Sequence, residues 1–279
     1  MTNVITFGNF KGGTGKTTNS AMMAYMLSKL GYKTLLADLD PQANATSLYL
    51  HTKQRITNNI VTFDKTLMSA IADENLSDII IEIKDNLYLL PSFADFTSYP
   101  LFLEKKFPNS QFKRVNFLNE LIIKIKDDYD FILIDVPPTL STYTDSALLA
   151  SDYTIIVLQT QERSLVGAEA YVGYLQELID NYDADFDILG VLPVLLKNNS
   201  TVDESTLKAA KETFGEENLF ENVVKNMERL KRYDIIGIVD SDIDKKSDIH
   251  DKRVMGLYKK VTKEMISRLK EIEANKLSN

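Results

Sequence analysis

Residues 9–18, Asn9-Phe10-Lys11-Gly12-Gly13-Thr14-Gly15-Lys16-Thr17-Thr18, constrain this chain more than any other stretch. The apolar run before them, Val4-Ile5-Thr6-Phe7, reads as a buried strand, and the run after them, 21–27, as a helix closed by Gly31. Strand, glycine-rich turn and helix in that order build a phosphate cradle. Successive backbone N–H groups point inward, and the amino end of the helix adds partial positive charge. Lys16 is placed to reach β- and γ-phosphates, and the Thr17 hydroxyl to ligate Mg2+. The stretch departs from G-x-x-x-x-G-K-[ST] at one point: Phe10 stands where the first glycine belongs, and a second lysine, Lys11, precedes the glycine pair.

Two strand ends supply carboxylates. The run 33–37 reads as a short strand that ends in Asp38-Leu39-Asp40-Pro41-Gln42. In extended backbone Asp38 and Asp40 share a side. At the carboxyl end of a strand beside the phosphate loop they would sit over a nucleotide. The second end is Phe131-Ile132-Leu133-Ile134-Asp135, an apolar strand delivering Asp135 to the sheet edge in the Walker B manner, where it would hold Mg2+ through water. Pro137-Pro138 stops that strand and stiffens a loop able to act as a switch near the γ-phosphate.

Composition narrows the chemistry. The chain has 279 residues, no cysteine and two histidines, His51 and His250, so thiolate nucleophiles, Cys-held metals and iron–sulfur clusters are excluded. No apolar run approaches the roughly 20 residues of a membrane span. The amino terminus enters a strand at once, so a cytoplasmic protein without a cleaved leader is expected. The formal net charge is −8, which still permits a local basic patch to neutralise several nucleic-acid phosphates.

Downstream, strands are expected at 86–90, 153–158, 188–196 and 220–224, and helices at 115–125, 164–179, 202–214 and 254–272. Residues 51–110 are poorly patterned, with helical pieces near 67–72 and 76–80, and 92–110 reads as loop or short helices bearing exposed aromatics. Alternating elements predict one α/β domain over 1–279, a P-loop NTPase with a mostly parallel central sheet and helices on both faces.

The segments 11–18, 38–46 (DLDPQANAT) and Ile134-Asp135-Val136-Pro137-Pro138 together resemble the ParA/MinD family of deviant Walker ATPases. Leu90-Pro91-Ser92 and the segment 162–167 look like the ParA branch, which partitions plasmids and chromosomes. The resemblance implies an ATP-binding site at Lys11, Gly12, Gly13, Thr14, Gly15, Lys16, Thr17 and Thr18, with Lys197 and Asn198 at the adenine. Lys11 would be the signature lysine that crosses a nucleotide-sandwich homodimer to the partner's phosphates. Asp40 would position the attacking water, and Thr17, Asp135 and Asp38 would lie at Mg2+. The ATP-bound dimer would bind double-stranded DNA without sequence preference, associate with the nucleoid, and hydrolyse ATP when stimulated by a ParB-like centromere-binding protein. Larger relatives carry an amino-terminal helix-turn-helix domain, which is not expected here. Arg229-Leu230 is similar to a late loop that holds DNA-binding arginines, so Lys225, Arg229, Lys231 and Arg232 are the candidate DNA contacts.

Two other functions share this loop. A MinD-like membrane-positioning ATPase needs an amphipathic tail. Tyr258, Val261, Met265, Leu269 and Ile272 line one side of the last helix, but the final residues are mostly polar, which favours a core-packed helix and no membrane partner. A metabolic ligase of the same superfamily is the other, and the DPQ-x-NAT segment favours partition over it.

Overall fold

In the computed structural model, which describes residues 2–160, 162–196, 201–242 and 246–278, the glycine-rich loop joins strand β1 (Asn3–Gly8) to helix α1 (Lys16–Lys29). Next come β2 (Thr34–Asp38), α2 (Asn44–Thr57), α3 (Leu67–Ala72) and a hairpin of β3 (Ile81–Lys84) and β4 (Leu87–Leu90). Helices α4 (Tyr99–Lys106) and α5 (Gln111–Ile123) lead into β5 (Phe131–Asp135), α6 (Thr142–Leu149) and β6 (Tyr153–Gln159). The chain closes with α7 (Glu162–Tyr182), β7 (Asp187–Leu196), α8 (Thr201–Phe214), β8 (Val224–Lys225), α9 (Glu228–Ile236) and α10 (Ile249–Ser278).

One sheet of order β3-β4-β2-β5-β1-β6-β7-β8 runs through the molecule, parallel at every pairing except β3 with β4. Every residue of β2 and β5 is buried, as expected of central strands covered on both faces. Side-chain alternation splits the core accordingly. Leu133 and Ile155 face α1, α2, α9 and α10, while Ile132 and Ile134 face α3 to α6 and Ile156 faces α7 and α8. Pairing of β1 and β2 with β5 sets Phe7 and Asp38 each opposite Asp135, so three strand ends converge at one edge. Ligands of open α/β sheets gather at such a place.

The expected elements formed apart from the strand at 220–224, and four others appeared. Helix α2 folds because Ala45, Leu48, Tyr49 and Thr52 make a buried stripe at helical spacing in an otherwise polar run. Helix α9 rests on Leu230 and Tyr233, although its sequence reads as a charged loop. Strand β3 and helix α6 were likewise not anticipated. The aromatics of 92–110 required correction: Phe96 and Tyr99 are fully enclosed and stack with Tyr143, because the short helices here cover the outer face of the sheet. The strand expected at 220–224 is reduced to β8, with a single bridge from Leu219 to Val191 before it.

Phe10 has a structural task. Its ring packs edge-on against Tyr171 and Tyr174 of α7, at centroid distances of 5.0 and 5.4 Å. The absent first glycine is therefore an anchor that pins the phosphate loop to α7. Gly8 allows the close approach, since a Cβ there would lie 1.9 Å from the Tyr171 hydroxyl. Gly8→Ala should cost about 1–3 kcal/mol through overpacking, read as a lower midpoint in denaturant unfolding. An unchanged midpoint would mean that α7 yields freely.

Candidate nucleotide site

Gly13 and Gly15 adopt φ of +72° and +85°, so the loop turns through backbone conformations that side chains resist. It opens on a cleft of about 540 Å3 lined by residues 13–18, Asp40, Asn44, Ser47, Val136 and Pro138, with Lys231 and Asp234 of α9 at its rim. Asn9 braces the loop from beneath: its amide donates to the Val157 carbonyl at 2.6 Å, and its side-chain oxygen accepts from the Lys11 N–H at 2.8 Å.

Lys16 is buried, and its ammonium donates to the carbonyls of Asn9 at 3.0 Å and Lys11 at 3.4 Å. Burial lowers its pKa, while Asp135 and Asp40 act in the opposite sense. The side chain therefore sits in the cradle as the cation between two carboxylates and the place where phosphates would enter. Lys11 bends away from its own cradle, and its ammonium donates to the Ser164 hydroxyl on α7 at 3.2 Å.

The three aspartates differ sharply. Both oxygens of Asp135 are buried without a hydrogen bond of good geometry among the described residues, although the Thr17 side chain lies near enough to favour the charged form, as does Lys16. Burial and the adjacent Asp38 push its carboxyl pKa well above the ordinary carboxylate range. An orphaned buried carboxylate of this kind calls for a cation. Among the described residues no three His, Cys, Asp or Glu side chains group into a metal cage. One carboxylate, the Thr17 hydroxyl and phosphate oxygens suit Mg2+, which is seldom bound by an all-protein cage.

Asp38 lies opposite Asp135 and is held by its own hydrogen bonds. One of its oxygens accepts from the Thr46 N–H and the Thr46 hydroxyl, both at 2.8 Å, and the other accepts from the Asp40 N–H at 3.1 Å. Its carboxylate binds the amino end of α2 while lying close enough to Asp135 to raise that group's pKa. Asp40 is the one that lines the cleft, with one carboxylate oxygen accepting from the Gln42 N–H at 2.9 Å. A further link lies beneath them, where the Ser92 N–H donates to the Thr46 hydroxyl at 2.9 Å. Sequence reading attached no chemistry to Thr46; its position two residues into α2, facing back to Asp38, depends on a turn that the sequence does not display.

The candidate basic cluster divides. Arg229 is turned inward, paired with Asp248 and lying 3.5 Å from Asp251, so its charge is spent within the fold. Lys231 pairs with Glu228 at 2.8 Å on the rim of the nucleotide cleft. Lys225 and Arg232 are exposed. Lys197 and Asn198, expected at the adenine, lie outside the described residues.

A family model described as an AAA domain matches residues 2–188, more than half of the chain. The chromosome-partitioning ATPase Soj of Treponema pallidum is 25% identical over 270 residues, covering 96% of this chain and 98% of that protein. The sporulation initiation inhibitor protein Soj of Bacillus subtilis is 28% identical over 234 residues, covering 82% and 87%. Among solved structures, apo McdA of Cyanothece aligns with a TM-score of 0.79 at 20% identity, over 96% of this chain and 100% of that one.

Proposed function

Because the chain belongs to the ParA/MinD family of P-loop ATPases, we propose that it is a partition ATPase whose ATP-bound sandwich dimer binds double-stranded DNA without sequence preference. A ParB-like centromere-binding protein would stimulate hydrolysis and release the dimer. The reading treats 1–279 as one ATPase domain working at the nucleoid in the cytoplasm. Its chief support is the orphaned Asp135 carboxylate next to the Lys16 ammonium beneath the glycine loop.

In this reading, backbone N–H groups of Gly12–Thr18 hold the phosphates and Lys16 neutralises the charge that develops between β- and γ-phosphate. Thr17 and Asp135, with Asp38 beside them, would hold Mg2+, which would supply Lewis-acid stabilisation of the phosphoryl oxygens. Asp40 would orient the attacking water, and the adenine assignment of Lys197 and Asn198 rests on the family resemblance alone. Lys11 acts in trans. Its ammonium donates to the Ser164 hydroxyl on α7 at 3.2 Å, and the trans role rests on the family resemblance. A cation that reaches the γ-phosphate only in the dimer makes ATP the link between the two chains.

The buried face of α10 weighs against a lipid-binding tail. Val254, Tyr258, Val261, Met265 and Leu269 are all enclosed in the core, so the apolar side of that helix already has its partner. Among the described residues no helix is long and apolar enough to cross a membrane.

ATP turnover measured alone, with duplex DNA, and with candidate neighbouring DNA-binding proteins tests the whole reading. Low basal turnover that rises with both is expected; indifference to DNA and to every such protein would overturn it. For the DNA surface, Lys225 and Arg232 are tested first because both are exposed. Lys225→Glu with Arg232→Glu should weaken DNA binding and flatten its log–log salt dependence by about one to two, roughly 0.9 for each phosphate no longer neutralised. ATP affinity should stay unchanged. An unaltered slope would place the DNA on another face.

A further inference from the structure

We infer that Thr46 is a positioning residue for ATP hydrolysis, acting through a buried chain that runs from Ser92 through Thr46 and Asp38 to Asp40. This rests on the ATPase reading above and deepens it. The chain consists of three successive hydrogen bonds: Ser92 N–H to the Thr46 hydroxyl at 2.9 Å, that hydroxyl to Asp38 at 2.8 Å, and the Asp40 N–H to Asp38 at 3.1 Å.

The hydroxyl's direction is fixed by its neighbours. It has one proton, and the carboxylate can only accept, so the proton goes to Asp38 and the oxygen's lone pair takes the Ser92 N–H. Asp38, Thr46 and Ser92 are each nearly or wholly excluded from solvent, so water cannot stand in for a missing member. The Thr46 N–H adds a second bond to the same Asp38 oxygen, at 2.8 Å. Asp38 thereby caps α2 from a distance, because Ala43 at the helix start has φ +54° and no side chain able to cap.

The consequence falls on Asp40. Its backbone N–H is gripped by Asp38, its carbonyl accepts from the Ala43 N–H at 2.8 Å, and its carboxylate accepts from Gln42. Asp40 stands between the end of β2 and the start of α2, so its aim depends on how those two elements are joined. Thr46 is the side chain that joins them to each other and to the end of β4. A small displacement of a water-positioning group slows chemistry more than it weakens binding. The phosphates, in contrast, are held by the loop of residues 12–18, which this hydrogen-bond chain does not touch.

Thr46→Val keeps the shape and removes the hydroxyl, Thr46→Ser restores it, and Thr46→Ala provides a smaller replacement in case the valine variant does not fold. Each is compared with the unsubstituted protein for single-turnover ATP hydrolysis with Mg2+ and for affinity towards a non-hydrolysable ATP analogue. The expected result is a fall in kcat of about tenfold for Val or Ala, affinity held within about twofold, and Thr46→Ser close to the unsubstituted protein. Unchanged kcat in Val and Ala, or kcat and affinity falling together with no rescue by Ser, would overturn the inference. Absence of turnover in the unsubstituted protein would instead overturn the ATPase reading.

Discussion

Lys16→Ala should reduce ATP turnover by at least about 10³-fold and weaken nucleotide binding with it. Lys16 is 5% exposed and held by two loop carbonyls, so its ammonium is fixed before any nucleotide arrives. Two losses then coincide. The cation that would meet the γ-phosphate disappears, and Asp135 and Asp40 lose the positive charge that offsets them. An incoming phosphate chain would face two carboxylates unopposed, which raises the cost of binding as well as of chemistry. Phosphate release under saturating ATP and titration with a fluorescent nucleotide measure the two effects separately. Turnover near that of the unsubstituted protein would remove the loop from the nucleotide site altogether, provided circular dichroism shows the variant folded.

The same residues show what a sequence displays and what it hides. The loop and the strand before Asp135 were legible because their signals are contiguous: fully buried strands read as unbroken apolar runs, and a phosphate loop is about nine or ten residues in a row. The different burial of Asp38 and Asp40 was not. In extended backbone the two share a side, which suggests that both sit over the nucleotide. The strand ends at Asp38, however, and the Pro41–Ala43 turn sends the chain back over it, so Asp38 is enclosed beneath α2 while Asp40 opens to the cleft. Helix α2 was hidden for a related reason, since Ala45, Thr46 and Thr52 make up much of its buried side and none announces a core. Arg229 is another case. An arginine in a basic run reads as surface, and only the fold brings Asp248 and Asp251 against it. Phe10 marks a third limit: its partners lie about 160 residues away on α7, beyond any local pattern.

Asp40→Ala should leave ATP binding and ATP-dependent dimerisation intact and slow hydrolysis by about 10²-fold or more. The turn itself should survive, because two of the bonds that shape it use Asp40 backbone atoms: its N–H to Asp38 at 3.1 Å and its carbonyl from Ala43 at 2.8 Å. Only the bond from Gln42 to the carboxylate disappears. Removing one negative charge from the neighbourhood of Lys16 also favours an anionic ligand, so affinity should be equal or tighter. Slow turnover with undiminished binding is the signature of a group that acts on the attacking water, since an interaction absent from the ground state lowers kcat alone. Sedimentation with ATP should show the variant accumulating as a dimer that no longer dissociates. Should affinity and turnover fall in proportion, Asp40 is a structural element of the turn; should turnover persist unchanged, the water is positioned by another group, and the hydrogen-bond chain through Thr46 has no catalytic end.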